Sequence, residues 1–159
     1  MKIVVLNGSP KGKLSVTLQY IHYIEKAFPQ HEFSIIDVSQ KMRIIEKDNK
    51  VFQKIIDEVG AADGIIWAFP LYYCLVHSNY KKFIELIFER DVTDAFTGKY
   101  TAAISTSIHF YDHTAHNYIN AVCDDLNMKY VDFFSAAMQD LLKSSEQNKL
   151  KLFAENFFK

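Results

Sequence analysis

Glycine, lysine and hydroxyl side chains are concentrated just after the first apolar run of the chain, residues 3–6. The segment NGSPKGKLSVT follows, and it contains Gly8, Gly12, Lys11, Lys13, Ser9, Ser15 and Thr17. Glycine lets backbone approach an anion closely, and the free amides at a helix start favour negative charge. The segment therefore predicts a phosphate-binding loop, although it has neither the G-x-x-x-x-G-K-S/T nor the G-x-G-x-x-G spacing. The simpler alternative is that Ser15 only caps the following helix.

Aromatic residues dominate the segment WAFPLYYC at residues 67–74, where an apolar run meets a proline. Exposed aromatic side chains are costly, so a flat ligand is expected to cover them. Pro70 would stiffen the turn, and the backbone amides of residues 71–74 would face heteroatoms of such a ligand. The alternative is an aromatic loop packed on its own core or on a partner subunit, and the composition fits both interpretations equally.

Histidines follow the fourth apolar run, in the segment STSIHFYDHTAHNYI at residues 105–119. His109 and Tyr111 are placed to contact a ligand across this loop, and Asp112 is expected to cap the next helix. No Cys or Glu stands at a tight spacing here. A weaker hypothesis is therefore a metal site formed by His109, Asp112, His113 and His116.

Three further residues carry separate expectations. The thiol of Cys74 could react beside a redox-active ring, but free cysteine is more often inert packing. His77 is expected to open the third helix, and Trp67 to lie in the core within a strand.

Strand and helix patterns alternate along the whole chain. Short apolar runs bounded by turn residues predict strands over residues 2–6, 32–38, 63–69, 99–105 and 129–134. Apolar side chains at helical spacing predict helices over residues 15–28, 48–59, 78–89, 113–126 and 144–158. Residues 39–47 fit either a loop or an early extension of the second helix. The alternation predicts an α/β fold with a parallel sheet covered on both faces, and such sheets bind ligands beyond the carboxyl ends of their strands.

The composition excludes several functional classes. The 159 residues fit one domain, residues 1–159, although the apolar helical pattern at the end also fits a piece of a longer chain. A net charge of −1 argues against nucleic-acid or membrane-surface binding, and no apolar run approaches the roughly 20 residues that span a bilayer. The cysteine spacing and the lack of a signal peptide predict a cytoplasmic protein with reduced thiols.

The three segments together resemble the NAD(P)H-dependent FMN reductase branch of the flavodoxin-like flavoproteins. The most specific parts are the G-S-P-K start and the P-x-Y-Y loop that leads into a K-x-F-I helix. The resemblance is closest to the clostridial-type flavin oxidoreductases, but the chain lacks the cysteine cluster of their iron–sulfur members. It implies a flavodoxin-like three-layer sandwich with strand order 2-1-3-4-5, bound FMN, NAD(P)H as transient hydride donor, and a homodimer or homotetramer.

The resemblance also implies which residues would bind FMN. The phosphate would be held by Ser9, Lys11, Ser15, Val16 and Thr17. The isoalloxazine ring would be lined by Phe69, Pro70, Leu71, Tyr72 and Tyr73. The other edge of the ring would be contacted by Thr106, Ser107 and His109.

The predicted function is an FMN-dependent oxidoreductase that transfers electrons from NAD(P)H to a small-molecule acceptor or a redox protein. The alternative is a one-electron carrier module without nicotinamide activity. A third hypothesis, a phosphate-binding domain without cofactor, would need an acidic pocket after the first strand, where residues 7–9 read Asn-Gly-Ser instead.

Overall fold

The computed structural model describes residues 1–108 and 110–159. Its strands are β1 (Lys2–Asn7), β2 (Glu32–Asp37), β3 (Gly64–Pro70), β4 (Tyr100–Ser107) and β5 (Lys129–Ala137). Its α-helices are α1 (Val16–Ala27), α2 (Val38–Lys47), α3 (Asn49–Gly60), α4 (Ser78–Glu89), α5 (His113–Asp125) and α6 (Ser144–Phe157). All strands pair in parallel in the order β2-β1-β3-β4-β5, which confirms the predicted topology. Within these ranges no helix is long and apolar enough to cross a membrane.

Helices cover both faces of the sheet because the central strands are apolar on both sides. Successive strand residues point to opposite faces. Leu6 and Trp67 therefore pack with α2, α3, α4 and α5, whereas Val5 and Ile66 pack with α1 and α6. With both faces covered, the carboxyl edge of the sheet is where loops and helix starts meet, and the candidate site lies there.

A separate helix, α2, occupies the segment that the sequence left undecided. Val38, Met42 and Ile45 are buried on one side of it, which is helical spacing. The side chain of Asp48 then accepts a hydrogen bond from the Lys50 amide at 2.9 Å and starts α3. The predicted helix at 48–59 is thus confirmed, and a second helix precedes it without an intervening loop.

The last two strands run further than predicted. β4 continues to Ser107 and β5 to Ala137, and these two residues are partners in the sheet. Thr106 and Ser107 therefore lie at the end of a strand and not in a loop, and the extra pairing fixes their backbone at the carboxyl edge.

Trp67 lies in the core, as predicted, with no exposed surface. Its ring stacks on Phe96 with an interplanar angle of 14° and meets the edge of Tyr80 at a centroid distance of 6.0 Å. His77 opens α4, also as predicted, because its Nδ1 atom accepts a hydrogen bond from the Asn79 amide at 3.2 Å.

Candidate functional site

A cleft of about 320 Å³ opens at the carboxyl edge of the sheet. Nine of its lining residues belong to the predicted site: Ser9, Lys11, Ser15, Val16, Pro70, Leu71, Tyr72, Thr106 and Ser107. The structure thus brings residues of all three segments, up to 98 positions apart in sequence, to one cavity. His109 lies outside the described residues.

The loop after β1 is fixed by its own hydrogen bonds. The Asn7 side chain accepts from the Ser9 amide at 3.1 Å and donates to the Asp37 carboxylate at 2.8 Å. The Ser9 hydroxyl accepts from the Lys11 amide at 3.3 Å. Gly12 has a φ of +52°, a left-handed conformation that glycine adopts without strain. The loop therefore has a defined shape before any ligand arrives.

Gly8 allows the loop to pass close to an aromatic ring. A Cβ atom at this position would lie 2.7 Å from a ring carbon of Tyr80. That ring is buried, and its hydroxyl donates to the Leu6 carbonyl at 2.7 Å, so the ring has no room to move. The backbone path toward the cleft therefore requires glycine here.

Ser15 is buried at the start of α1, but its side chain does not cap the helix. The residue occupies the N-cap position, yet its hydroxyl makes no cap hydrogen bond, and its Oγ atom has no partner among the described residues. An unsatisfied buried hydroxyl costs about 1–3 kcal/mol. The first-turn amides of a helix also lack acceptors within it. These donors around Ser15 fit an anion better than they fit the alternative that Ser15 only caps the helix.

Two predicted residues lie behind the lining and do not face the cleft. The Thr17 hydroxyl is buried and lies 2.7 Å from the Thr106 hydroxyl, which joins α1 to β4. Phe69 is fully buried and packs against the rings of Tyr80 and His116. Both residues pack behind the residues that line the cleft.

The turn between β3 and α4 holds two residues in a left-handed conformation. Tyr72 and Leu75 exchange backbone hydrogen bonds of 2.8 and 3.2 Å. Between them, Tyr73 has a φ of 45° and Cys74 a φ of 65°. Such a turn projects its central side chains outward, and Tyr73 is fully exposed.

The backbone amides of residues 71–74 were expected to face heteroatoms of a ligand, but two of them donate hydrogen bonds within the protein. The Leu71 amide donates to the Thr106 carbonyl at 2.9 Å, and the Tyr72 amide is used within the turn. These two groups are therefore not free for a ligand. The Leu71 amide is bonded because β3 pairs in parallel with β4, and the Tyr72 amide is bonded because the turn is tight.

Asp112 stands at the start of α5, but its carboxylate is turned inward and makes no cap hydrogen bond. Asp112 thus occupies the expected N-cap position, but its side chain does not cap the helix. Its Oδ2 atom accepts hydrogen bonds from Ser105 on β4 at 2.5 Å and from Ser135 on β5 at 2.6 Å. The carboxylate thus connects two strands to the helix start, and it anchors the segment that leads from β4 to α5.

His116 completes this buried cluster. Its Nε2 atom lies 2.8 Å from the Ser105 hydroxyl, whose hydrogen is already donated to Asp112, so Nε2 carries the donating hydrogen. Its Nδ1 atom is buried with no partner in the described part of the chain, which favours the neutral ring. Burial lowers the pKa of His116, and the smaller opposing effect of Asp112 does not reverse this. Burial raises the pKa of Asp112, but the hydrogen bonds from both serines, together with His116, outweigh it and leave that pKa below its ordinary value.

The weaker metal hypothesis finds no support among the described residues, outside which His109, one of its four candidate ligands, lies. Asp112 and His116 are bonded to serines, and no group of three potential metal ligands occurs in residues 1–108 and 110–159. Cys123 is buried, and burial raises its thiol pKa to about 12, whereas Cys74 is exposed on the turn.

Three lining residues escaped the sequence reasoning: Leu14, Ile108 and Met138. Ile108 directly follows the predicted Ser107 and would have been found by extending the fourth strand. Met138 lines the cleft because its amide donates a hydrogen bond to the Ser107 carbonyl at 3.1 Å. This hydrogen bond forms only because β5 extends as far as the residue before Met138.

A second groove of about 500 Å³ adjoins the cleft. It is lined by Leu71, Tyr73, Cys74, Ser107, Ile108 and Tyr111. Leu71, Ser107 and Ile108 line both cavities, so the groove opens beside whatever occupies the cleft.

A cleft at the carboxyl edge of a parallel sheet of order 2-1-3-4-5, with a hydroxyl-rich loop at the first helix, defines a flavodoxin-like α/β protein. Residues 1–140 match the family described as NADPH-dependent FMN reductase, and the chain belongs to that family. It is therefore an oxidoreductase with FMN as cofactor and NAD(P)H as reductant.

Solved structures with this fold are similar at low sequence identity. An NADH:FMN oxidoreductase (EMOB, apo form) is 20% identical with a TM-score of 0.79, over 98% of this chain and 87% of that one. An oxidoreductase from Corynebacterium diphtheriae is 16% identical with a TM-score of 0.77, over 99% and 94%. An FMN-dependent NADH-azoreductase from Bacillus anthracis, in complex with FMN, is 12% identical with a TM-score of 0.69, over 98% of both chains. No curated protein sequence matches the chain.

Proposed function

We propose that this reductase binds the FMN phosphate at the Ser9–Ser15 loop and passes electrons from NAD(P)H to a small-molecule acceptor. The observation that carries the binding assignment is the buried Oγ atom of Ser15, which has no partner among the described residues and lines the cleft. Such an atom is stabilised when a ligand accepts its hydrogen.

The phosphate end combines three kinds of donor. The hydroxyls of Ser9 and Ser15 are buried at the cleft, and the Lys11 side chain supplies a positive charge there. Val16 and Thr17 form the first turn of α1, whose free amides and positive dipole end favour an anion. The residues present therefore fit a phosphate group by their chemistry: two hydroxyl donors, one cation and a helix N-terminus.

The ring end is apolar on one side and polar on the other. Pro70, Leu71 and Tyr72 supply the apolar wall from the end of β3, and Tyr73 projects from the same turn. Thr106 and Ser107 supply hydroxyls from the end of β4. Bound FMN would accept the hydride from NAD(P)H and pass the electrons on, and these residues would bind and orient it.

Ser15→Ala tests the phosphate assignment. We expect FMN affinity of the apoprotein to fall about tenfold, because one hydrogen bond to a charged group is lost. Affinity for riboflavin, which lacks the phosphate, should change little. Ser145→Ala, an exposed serine in the first turn of α6, is the matched control and should change neither affinity. Equal losses for FMN and riboflavin would place the phosphate elsewhere.

Anaerobic addition of NAD(P)H to the FMN-loaded protein tests the reductase activity. We expect rapid bleaching of the visible flavin absorbance, followed by reoxidation when an acceptor is added. A flavin that stays oxidised until another redox protein is supplied would favour the one-electron carrier. Three further expectations stay predictions: one FMN-binding domain over residues 1–159, a homodimer or homotetramer, and a cytoplasmic location. Sedimentation of the purified protein checks the oligomeric state.

A further inference from the structure

The imidazole ring of His77 lies against the ring of Tyr72, a residue that lines the cleft. The two ring centroids are 4.9 Å apart and the ring planes meet at 75°, which is an edge-to-face contact. Aromatic pairs in this geometry are worth about 0.5–1.5 kcal/mol beyond the area that they bury. His77 stands outside the lining, so it contacts the predicted flavin-ring site through Tyr72.

His77 is fixed by the start of α4. Its carbonyl accepts hydrogen bonds from the Tyr80 amide at 2.9 Å and the Lys81 amide at 3.1 Å. Its Nδ1 atom accepts from the Asn79 amide at 3.2 Å. The Asn79 side chain in turn donates to the Ser39 carbonyl on α2 at 2.9 Å. The imidazole is therefore attached to two packed helices and offers Tyr72 a rigid surface.

Tyr72 belongs instead to an exposed turn. Its backbone is bonded to Leu75, and the two residues between them are left-handed. Tyr72 is 41% exposed, so its side chain gains little support from the protein core. A side chain that is ordered only when a ligand binds reduces the affinity by the entropy that it loses. A ring that His77 already holds has less entropy to lose.

The contacts of His77 require an uncharged imidazole. A protonated imidazole has no acceptor nitrogen, so the bond from the Asn79 amide breaks when Nδ1 takes up a proton. A cation at this position also meets the positive end of the α4 dipole. Burial lowers the pKa of His77 from its ordinary value of 6.5, which is the same direction. The contact between the two rings should therefore weaken as the pH falls.

Three elements around His77 carry titratable or charged groups. The turn carries the Tyr72 phenol, and α4 carries the Lys81 ammonium, which pairs with Glu85. The strand before α2 ends at Asp37, whose carboxylate accepts a side-chain hydrogen bond. The cause of the lowered pKa of His77 is burial and not one of these groups. A response that depends on the His77 side chain can therefore be assigned to its own protonation.

We propose that His77 is a positioning residue for the flavin ring: the neutral imidazole holds the Tyr72 side chain against the ring, and protonation releases it. This inference rests on the proposed function, because Tyr72 has a ring to contact only when FMN occupies the cleft. Binding of FMN and protonation of His77 then oppose each other. By linkage, each weakens the other by the same factor.

Affinities of the apoprotein for FMN and riboflavin at about pH 7.5 test whether His77 acts through Tyr72. His77→Asn keeps a side chain that caps helices but removes the ring, and it should weaken both flavins at least about threefold. A loss shared by both flavins marks the ring site, in contrast to Ser15→Ala. In a Tyr72→Ala background the same substitution should have no further effect. An undiminished effect there overturns the proposal.

His77→Phe supplies the rescue. It restores an aromatic ring beside Tyr72 but can neither accept the Asn79 amide nor titrate. We expect it to bind both flavins more tightly than His77→Asn does, because the edge-to-face contact returns. If His77→Phe binds them no better, the ring contact is not what positions Tyr72, and the proposal is wrong.

Titration of the His77 imidazole by NMR, without and with FMN, tests the role of protonation. We expect the pKa of His77 to lie below 6.5 in the free protein and to fall further when FMN binds. Between about pH 7.5 and about pH 5.5, FMN affinity should fall at least about twofold more in the wild type than in His77→Asn. Comparing variants cancels the titration of the FMN phosphate itself. His22→Asn removes a partly exposed histidine on α1 and should keep the wild-type response.

The outcomes separate this inference from the proposed function. A His77 pKa that FMN does not move, or equal pH responses in the wild type and His77→Asn, overturns the positioning role alone. A protein that takes up no flavin overturns the proposed function. The coupling of the two rings is then still decided without flavin, because Tyr72→Ala uncovers the imidazole and should raise the pKa of His77 toward 6.5.

Discussion

The Oδ2 atom of Asp112 lies 2.5 Å from the Oγ atom of Ser105, and this contact closes the segment that links β4 to α5. The same oxygen accepts from Ser135, so one carboxylate ties two strands to one helix. Ile108 and Tyr111, which line the cleft or groove, lie within the segment that it closes. The cluster thus couples the stability of the sheet edge to the shape of the site.

Asp112→Ala should lower the free energy of unfolding by about 3 kcal/mol. The reason is that two serine hydroxyls and the His116 ring lose a charged acceptor in a buried place. Urea denaturation measures the change. Asp125→Ala removes an exposed carboxylate from the end of the same helix and should change stability by less than about 0.5 kcal/mol. Equal effects of the two substitutions would contradict the role assigned to the buried carboxylate.

Acidification should destabilise the protein through His116. Burial holds its folded-state pKa below the ordinary value of 6.5, so the unfolded chain takes up the proton first as the pH falls. The free energy of unfolding should therefore decline as the pH falls through 6.5 toward the folded-state pKa. Asp112, whose pKa is also lowered, adds a further loss only below its ordinary value of 3.8.

Urea denaturation of His116→Gln at about pH 7.5 and about pH 5.5 isolates this contribution. The variant keeps His31 and His77, whose pKa values burial also lowers, so the difference in pH dependence between the two proteins belongs to His116. The wild type should lose more stability than the variant across this interval. Identical losses would show that His116 is not held neutral in the folded protein.

Gly8→Ala should destabilise the fold by about 1–3 kcal/mol and weaken FMN binding. The added Cβ atom would lie 2.7 Å from a ring carbon of Tyr80, and the ring is held by its bond to the Leu6 carbonyl. Thermal denaturation and FMN titration measure both effects. Gly60→Ala is the control, because a Cβ atom there meets nothing within 4 Å, and it should be tolerated.

Cys74→Gly should stabilise the turn between β3 and α4. Cys74 has a φ of 65°, and glycine relieves a strain of about 1 kcal/mol that other residues carry in this conformation. Cys74→Ala removes the thiol but keeps the strain, so it serves as the matched control in the same denaturation experiment. A gain shared by both substitutions would mean that the thiol, and not the backbone conformation, is the unfavourable feature.

Local patterns were sufficient for the parallel topology, because apolar runs and helical spacing depend on neighbouring residues. They were also sufficient to predict that His77 begins a helix and that Trp67 lies in the core. The orientation of Asp112 could not be predicted, since its inward turn depends on Ser135, which is 23 positions away in sequence. Met138 could not be predicted as a lining residue for a similar reason, because it reaches the cleft only where β5 pairs with β4 as far as Ser107. Contacts between distant segments, and not local preferences, decide these details.

Trp67 is the single tryptophan of the chain, and it lies buried in β3, the strand whose last residue lines the cleft. Its emission therefore comes from one environment only, with Phe96 stacked on the indole ring. A flavin at the end of that strand absorbs in the range where indole fluoresces. Energy transfer from the indole to the flavin would quench the Trp67 fluorescence, so the tryptophan emission of the protein would report how much of it has cofactor bound.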